Sequence, residues 1–109
     1  MSTNLNTRLL RVGELARRVN KTTRALRFYE EMDLLAPVQR TAGGFRLYHP
    51  DTLTRIQWID RLQELGFSLS DIRGFLETFR GEPHGPAAME QLRSFYTEKL
   101  SETRAAVAR

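Results

Sequence analysis

Apolar residues along the chain recur at steps of three and four, interrupted by short clusters of turn-forming residues. Val12, Leu15, Ala16 and Val19 form the first stripe, that of a short helix. The segment "VNKT" breaks it: Asn20 tolerates the left-handed backbone of a tight turn, and Thr22 can cap the next helix. That second helix runs to about Met32, with Ala25, Leu26 and Tyr29 inward, until Asp33 and Pro37 end it. Arg24, Arg27 and Phe28 share a side that Leu26 and Tyr29 avoid. An exposed phenylalanine between two arginines asks what that side touches.

The pattern then changes period. Val38 to Arg40 and Phe45 to Tyr48 are short extended segments around "TAGG", whose glycine pair suits a hairpin turn. Pro50 and Asp51 suit the first turn of a third helix, whose face Leu53, Ile56, Ile59, Leu62 and Leu65 ends at Gly66. Ser68 and Asp71 have capping-box spacing for a fourth helix built on Leu69, Ile72, Leu76 and Phe79. "RGEPHGP", with two Gly and two Pro, is a corner or linker. Beyond it Met89, Leu92, Tyr96, Leu100, Thr103 and Val107 trace a stripe with nothing later in the chain to cover it, so the helix wants a partner helix. Phe95 and Tyr96 read as coiled-coil packing, and Trp58, beside its own helix's stripe, as a packing residue.

The fold class expected is therefore mainly α. Its parts are a winged helix-turn-helix with a small β-hairpin wing, a second helix pair and a long C-terminal dimerisation helix. The domain reading is an N-terminal tail over 1–10, a DNA-binding domain over 11–80, a linker over 81–86 and a dimerisation helix over 87–109. That helix reads as truncated, because "AAVAR" is strongly helical and carries no capping signal.

Composition removes most other chemistry. There is no cysteine, which excludes disulfides, thiolate metal sites and cysteine catalysis within these 109 residues. His49 and His84 have no partners at catalytic or metal-ligand spacing, so an enzyme is not expected. No apolar run is long enough for a membrane helix and no secretory h-region opens the chain, which makes the cytoplasm the expected location. The net charge of +4 is unevenly spread. Residues 1–50 hold nine Lys/Arg and four Asp/Glu, whereas residues 51–109 hold eight and nine. The basic excess sits with the helix-turn-helix and hairpin, as a polyanion-binding surface requires.

Three motifs make the reading specific. "VGELARRVNKTTRALRFYEEMDLL", "RTAGGFRLYHPDTLTRI" and "LQELGFSLSDIRGFL" occur in order over roughly residues 10 to 80. The chain resembles the MerR family of bacterial transcription regulators, whose pattern is an R-[FY]-Y-E core, a G-[FY]-R-x-Y wing and a following G-F-S-L-x-x-I. Asn20, Lys21, Asp33 and His49 depart from that pattern, all of them away from the expected DNA face.

The resemblance implies that the second helix enters the major groove with Thr23, Arg24, Arg27 and Phe28 towards DNA. Arginine offers a bidentate fork for guanine edges or phosphates. Tyr29 packs inward, its hydroxyl within reach of a phosphate. In the wing Arg46 is the main expected contact, with Phe45 beside it and Arg40 and Tyr48 in support. Hairpin packing is the competing role for Phe45 and Tyr48. The resemblance further implies a homodimer held by an antiparallel coiled coil, here through Met89, Leu92, Tyr96, Leu100 and Val107. Such a dimer bends and untwists an over-long promoter spacer and acts on RNA polymerase through DNA shape. Divalent-metal sensors of the family carry a cysteine at the start of the dimer helix, where this chain reads "HGPAAM". No cofactor is expected within these residues. The rival readings are an architectural or excisionase-like DNA-bending protein without effector sensing, and a protein-association module that binds no DNA.

Overall fold

The computed structural model describes residues 8–79 and 81–108, with side chains to residue 106. The element order is β1 (Leu10–Arg11), α1 (Val12–Arg18), α2 (Thr23–Glu31), β2 (Gln39–Arg40), β3 (Arg46–Tyr48), α3 (Asp51–Glu64), α4 (Leu69–Glu77) and α5 (Pro86–Ala108). The chain divides into two compact units, residues 1–56 and 57–109, and the division falls inside α3.

In the first unit, α1 stops where Asn20 takes a φ of 57°, the left-handed turn its side chain tolerates. α2 starts on a proper cap: Thr22 Oγ1 accepts from the Ala25 amide at 3.0 Å. Beyond α2, Asp33 adopts a φ of 62° and turns Leu34 and Leu35 into the core, where both are buried. Leu10, Leu15, Leu26, Tyr29, Tyr48 and Ile56 are buried in the same unit.

The expected two-stranded hairpin is present as β2 and β3, and a third strand that the sequence did not suggest joins it. β3 is the central strand of a three-stranded antiparallel sheet ordered β1-β3-β2, with Leu10 opposite Tyr48 and Arg40 opposite Arg46. Leu10, expected in a tail over 1–10, is a core strand residue at 2% exposure; residues 1–7 of that tail lie outside the described residues. The correction has a simple cause, since two residues are too few to show a strand's alternation. Val38 stays outside β2 and is exposed. The turn closes as expected: the Thr41 amide donates to Phe45 O, the Gly44 amide donates to Thr41 O, and Gly44 has a φ of 88°.

His49, standing where a hydroxyl residue is usual, caps α3 with its imidazole: Nδ1 accepts from the Asp51 amide at 3.0 Å. In the second unit α3 ends at Gly66, with φ 104°, and the Phe67 amide reaches back to Leu62 O. α4 begins on the complete Ser68–Asp71 capping box. Ile59, Leu62, Ile72, Leu76, Ala88 and Leu92 are buried there. Phe95 of α5 meets Phe67 at 5.2 Å and stacks on Phe75 at 4.4 Å between ring centroids, and Tyr96 meets Trp58 at 5.6 Å.

Candidate nucleic-acid interface

α2 sorts its residues by face. Leu26 and Tyr29 turn inward, while Thr23, Arg24, Arg27 and Phe28 are exposed. Phe28 leaves half its surface, 50%, in solvent. A large aromatic on a charged helix face has no packing reason to be there, and the apolar edge of a base or sugar gives it one. Tyr29 is buried at 5% exposure with Lys21 Nζ over its ring, which makes it a core residue.

The wing supplies a second exposed aromatic. Phe45, just past the turn, is 61% exposed, and the Arg11 guanidinium lies over its ring. Arg40 folds back on its own hairpin, donating from Nη1 to Gly44 O at 3.0 Å. Arg46 and Tyr48, two residues apart on one face of β3, both meet Glu30 of α2. Arg46 Nε donates to Glu30 Oε2 at 2.8 Å, and the Tyr48 hydroxyl donates to Oε1 at 2.5 Å. Tyr48 has no exposed surface. The assignment of Tyr48 to the DNA-contacting surface is therefore corrected: it is a core residue that braces the wing on α2. Burial, together with the hydrogen bond to Glu30, pushes its phenol well above the usual range.

Between α1, α2 and the wing lies a concavity of about 510 Å³ whose walls include Arg11, Arg17, Arg27, Phe45 and Arg46. Five arginines, Arg8 and one each from β1, α1, α2 and β3, converge on one hollow beside a single acidic residue, Glu14, an arrangement suited to a phosphate backbone. Within that wall Glu14 holds Arg8 at 2.5 Å and, outside it, Arg18 at 3.1 Å, and the Arg8 bond keeps its carboxyl below the ordinary carboxylate range. Arg11 and Arg17 are not legible as site residues in the sequence. Their charge is visible there, but nothing in the spacing places β1 beside the wing or turns Arg17 towards α2.

The candidate dimer residues are divided. Leu92 is fully buried within the chain itself, and Met89, Tyr96 and Leu100 are partly so. The stripe expected to be uncovered is thus covered along its first turns by this chain itself, with Trp58 against Tyr96. Positions 101–106 are all exposed, and the side chain of Val107 lies outside the described residues.

Comparison with known proteins agrees with this geometry. The family model described as MerR HTH family regulatory protein matches residues 10–78, and that described as MerR, DNA binding matches residues 53–109. The HTH-type transcriptional regulator ZntR of Escherichia coli is 36% identical over 100 residues, covering 92% of this chain and 70% of that protein. The mercuric resistance operon regulatory protein of Bacillus cereus is 40% identical over 62 residues, covering 57% of this chain and 47% of that one. Among solved structures, HiNmlR, a MerR family regulator lacking the sensor domain and bound to promoter DNA, superposes with a TM-score of 0.67 at 25% identity. It covers 94% of this chain and 81% of that one. SkgA of Caulobacter crescentus gives 0.69 at 26% identity, over 95% and 70% of the two chains. These relatives are named as regulators, HiNmlR is bound to promoter DNA, and none is named as an enzyme. The chain belongs to the MerR family of helix-turn-helix transcription regulators.

Proposed function

We propose that this regulator works as a homodimer that binds a dyad promoter operator and bends and untwists the spacer, controlling RNA polymerase through DNA shape. The observation that carries the reading is the shared outward exposure of Arg24, Arg27 and Phe28 on α2 with Phe45 on the wing, around a hollow walled by arginines. One helix face of that composition suits a major groove, and the wing suits the flanking backbone. Twofold pairing would present two such surfaces to one duplex and repay the cost of deforming it. The C-terminal turns of α5, from the half-buried Leu100 through the exposed positions 101–106, provide the pairing surface. Action through DNA shape requires no cofactor in these residues, and the place of action is the cytoplasmic nucleoid. No helix among the described residues is long and apolar enough to cross a membrane.

The test is selection of operators from a random DNA pool, followed by a bending measurement on the selected duplex. A selected site with dyad symmetry and a protein-induced bend is the expected result. An asymmetric site bound by one chain and bent equally well would instead favour an architectural, excisionase-like role. A pool that yields no enrichment would defeat sequence-specific binding altogether.

A further inference from the structure

Arg46 does not reach the hollow as a free side chain. Its Nε is held by Glu30 of α2, the helix proposed to read the major groove and so the recognition helix, on the same carboxylate that takes the buried Tyr48 hydroxyl. Glu30 has only 18% of its side chain exposed, so the ion pair is sheltered on one side, while Arg46 keeps 36% of its own in solvent and lines the hollow with Arg27. Because the bond runs through Nε, the terminal Nη pair is left to donate elsewhere.

From this we propose that Glu30 is a positioning residue for DNA binding, fixing the Arg46 guanidinium so that its terminal nitrogens face a phosphate. The inference rests on the DNA-binding reading above and adds a residue to it. An acidic side chain at a polyanion surface ordinarily weakens binding, by charge repulsion. Here the same carboxylate strengthens it, since an arginine already held in a productive rotamer loses less freedom when it meets its ligand. Tyr48 secures the arrangement by holding Glu30 from the core side, so the two oxygens of one carboxylate tie helix and wing together. Arg46, alone of the wing arginines, is oriented from the recognition helix; Arg40 is bonded within its own hairpin.

The two accounts of Glu30 predict opposite signs, which makes the test direct. Binding of the full chain to a mixed-sequence DNA duplex is titrated at several salt concentrations for wild type, Glu30→Ala, Arg46→Ala and the double variant. Positioning predicts that Glu30→Ala binds about tenfold more weakly, although it gains net positive charge, in keeping with loss of a charge-assisted bond. The salt slope should shrink by about one for each phosphate that the wing no longer holds. In the Arg46→Ala background the further loss of Glu30 should cost nothing, because its effect passes through Arg46. Glu30→Gln keeps an acceptor for Arg46 and should recover part of the affinity; it also replaces Glu30→Ala in the titrations should that variant melt early. Equal or tighter binding by Glu30→Ala with an unchanged slope overturns the proposal, as do losses from Glu30→Ala and Arg46→Ala that simply multiply. A wild type that binds no duplex at all would instead bring down the DNA-binding reading itself.

Discussion

The Arg11 guanidinium sits over the Phe45 ring, 5.5 Å from its centroid, joining the short N-terminal strand to the exposed aromatic of the wing. Phe45 is otherwise largely bare, its ring lying between the Arg11 guanidinium and the backbone of Gly43. Both residues should therefore matter to DNA affinity, and they should not act independently. A double-mutant cycle of Arg11→Ala and Phe45→Ala, read as affinity for duplex DNA, should return a coupling of about 0.5–1 kcal/mol. Strict additivity would mean that the stacking has no part in binding.

Arg27 and Arg46 should fail in different ways. A bidentate bond from the recognition helix to a base edge discriminates by roughly 1–3 kcal/mol, whereas a backbone contact carries no base code. Arg27→Ala should narrow the gap between selected operator and scrambled DNA, while Arg46→Ala should weaken both about equally. Paired titrations at one salt concentration decide it, and the reverse pattern would exchange the two roles.

Salt dependence should also rank the arginines. Arg24 and Arg27 lie exposed on α2, and Arg17 lines the same hollow as Arg27. If each touches a phosphate, its replacement by Ala lowers the salt slope by about one. Arg40, spent on Gly44 O, should change the slope least, its loss appearing instead as a looser hairpin. A slope for Arg40→Ala as reduced as that for Arg24→Ala would show that it leaves Gly44 when DNA arrives.

Tyr48 gives a prediction on the alkaline side. Its phenol is raised above the ordinary 10.0 by burial and by the Glu30 bond, so the folded chain keeps the proton after the unfolded chain begins to lose it. The associated stability is complete below about pH 10 and drains as pH climbs towards the folded value, at up to about 1.4 kcal/mol per pH unit. Tyr48→Phe should cost stability at neutral pH, by about 1.5–3 kcal/mol for a bond to a charged acceptor. The gap to wild type should then narrow between about pH 10 and 12, as measured by denaturant unfolding. A gap constant across that range would place the hydroxyl in water.

Leu92 and Leu100 separate folding from association. Leu92 is buried within its own chain, so Leu92→Asp should destabilise the fold by about 3 kcal/mol or more at any concentration. Leu100, on the partly covered stretch, should instead leave unfolding of the single chain nearly unchanged when replaced by Asp, and abolish the dimer in sedimentation. A dimer that survives Leu100→Asp would move the pairing surface elsewhere.

How far these features were legible depends on the length of the pattern behind each. The longer helices were readable because their apolar spacing repeats over successive turns, and the outward face of α2 followed from the inward run of Ala25, Leu26 and Tyr29. β1 was hidden, because Leu10 and Arg11 are too short a strand to alternate. The bracing role of Tyr48 was hidden for another reason: its partner, Glu30, stands 18 residues earlier, and only the folded register brings them together. The stripe of α5 was visible, but periodicity says that a face is covered and not by whom. Leu92 is covered by its own chain, and the sequence had no means of separating it from Leu100.

That division of α5 has a consequence for the order of events in the life of the chain. Ala88, Leu92 and Phe95 complete a core from residues that the same chain supplies, so the helix need not wait for a second copy before it becomes ordered. Folding is then a unimolecular event with a rate independent of concentration, and the proposed pairing would follow as a separate bimolecular one. A newly made molecule can be folded and still single. If the chains pair as proposed, how much regulator is present, rather than how well it folds, sets the share that would meet a promoter in pairs.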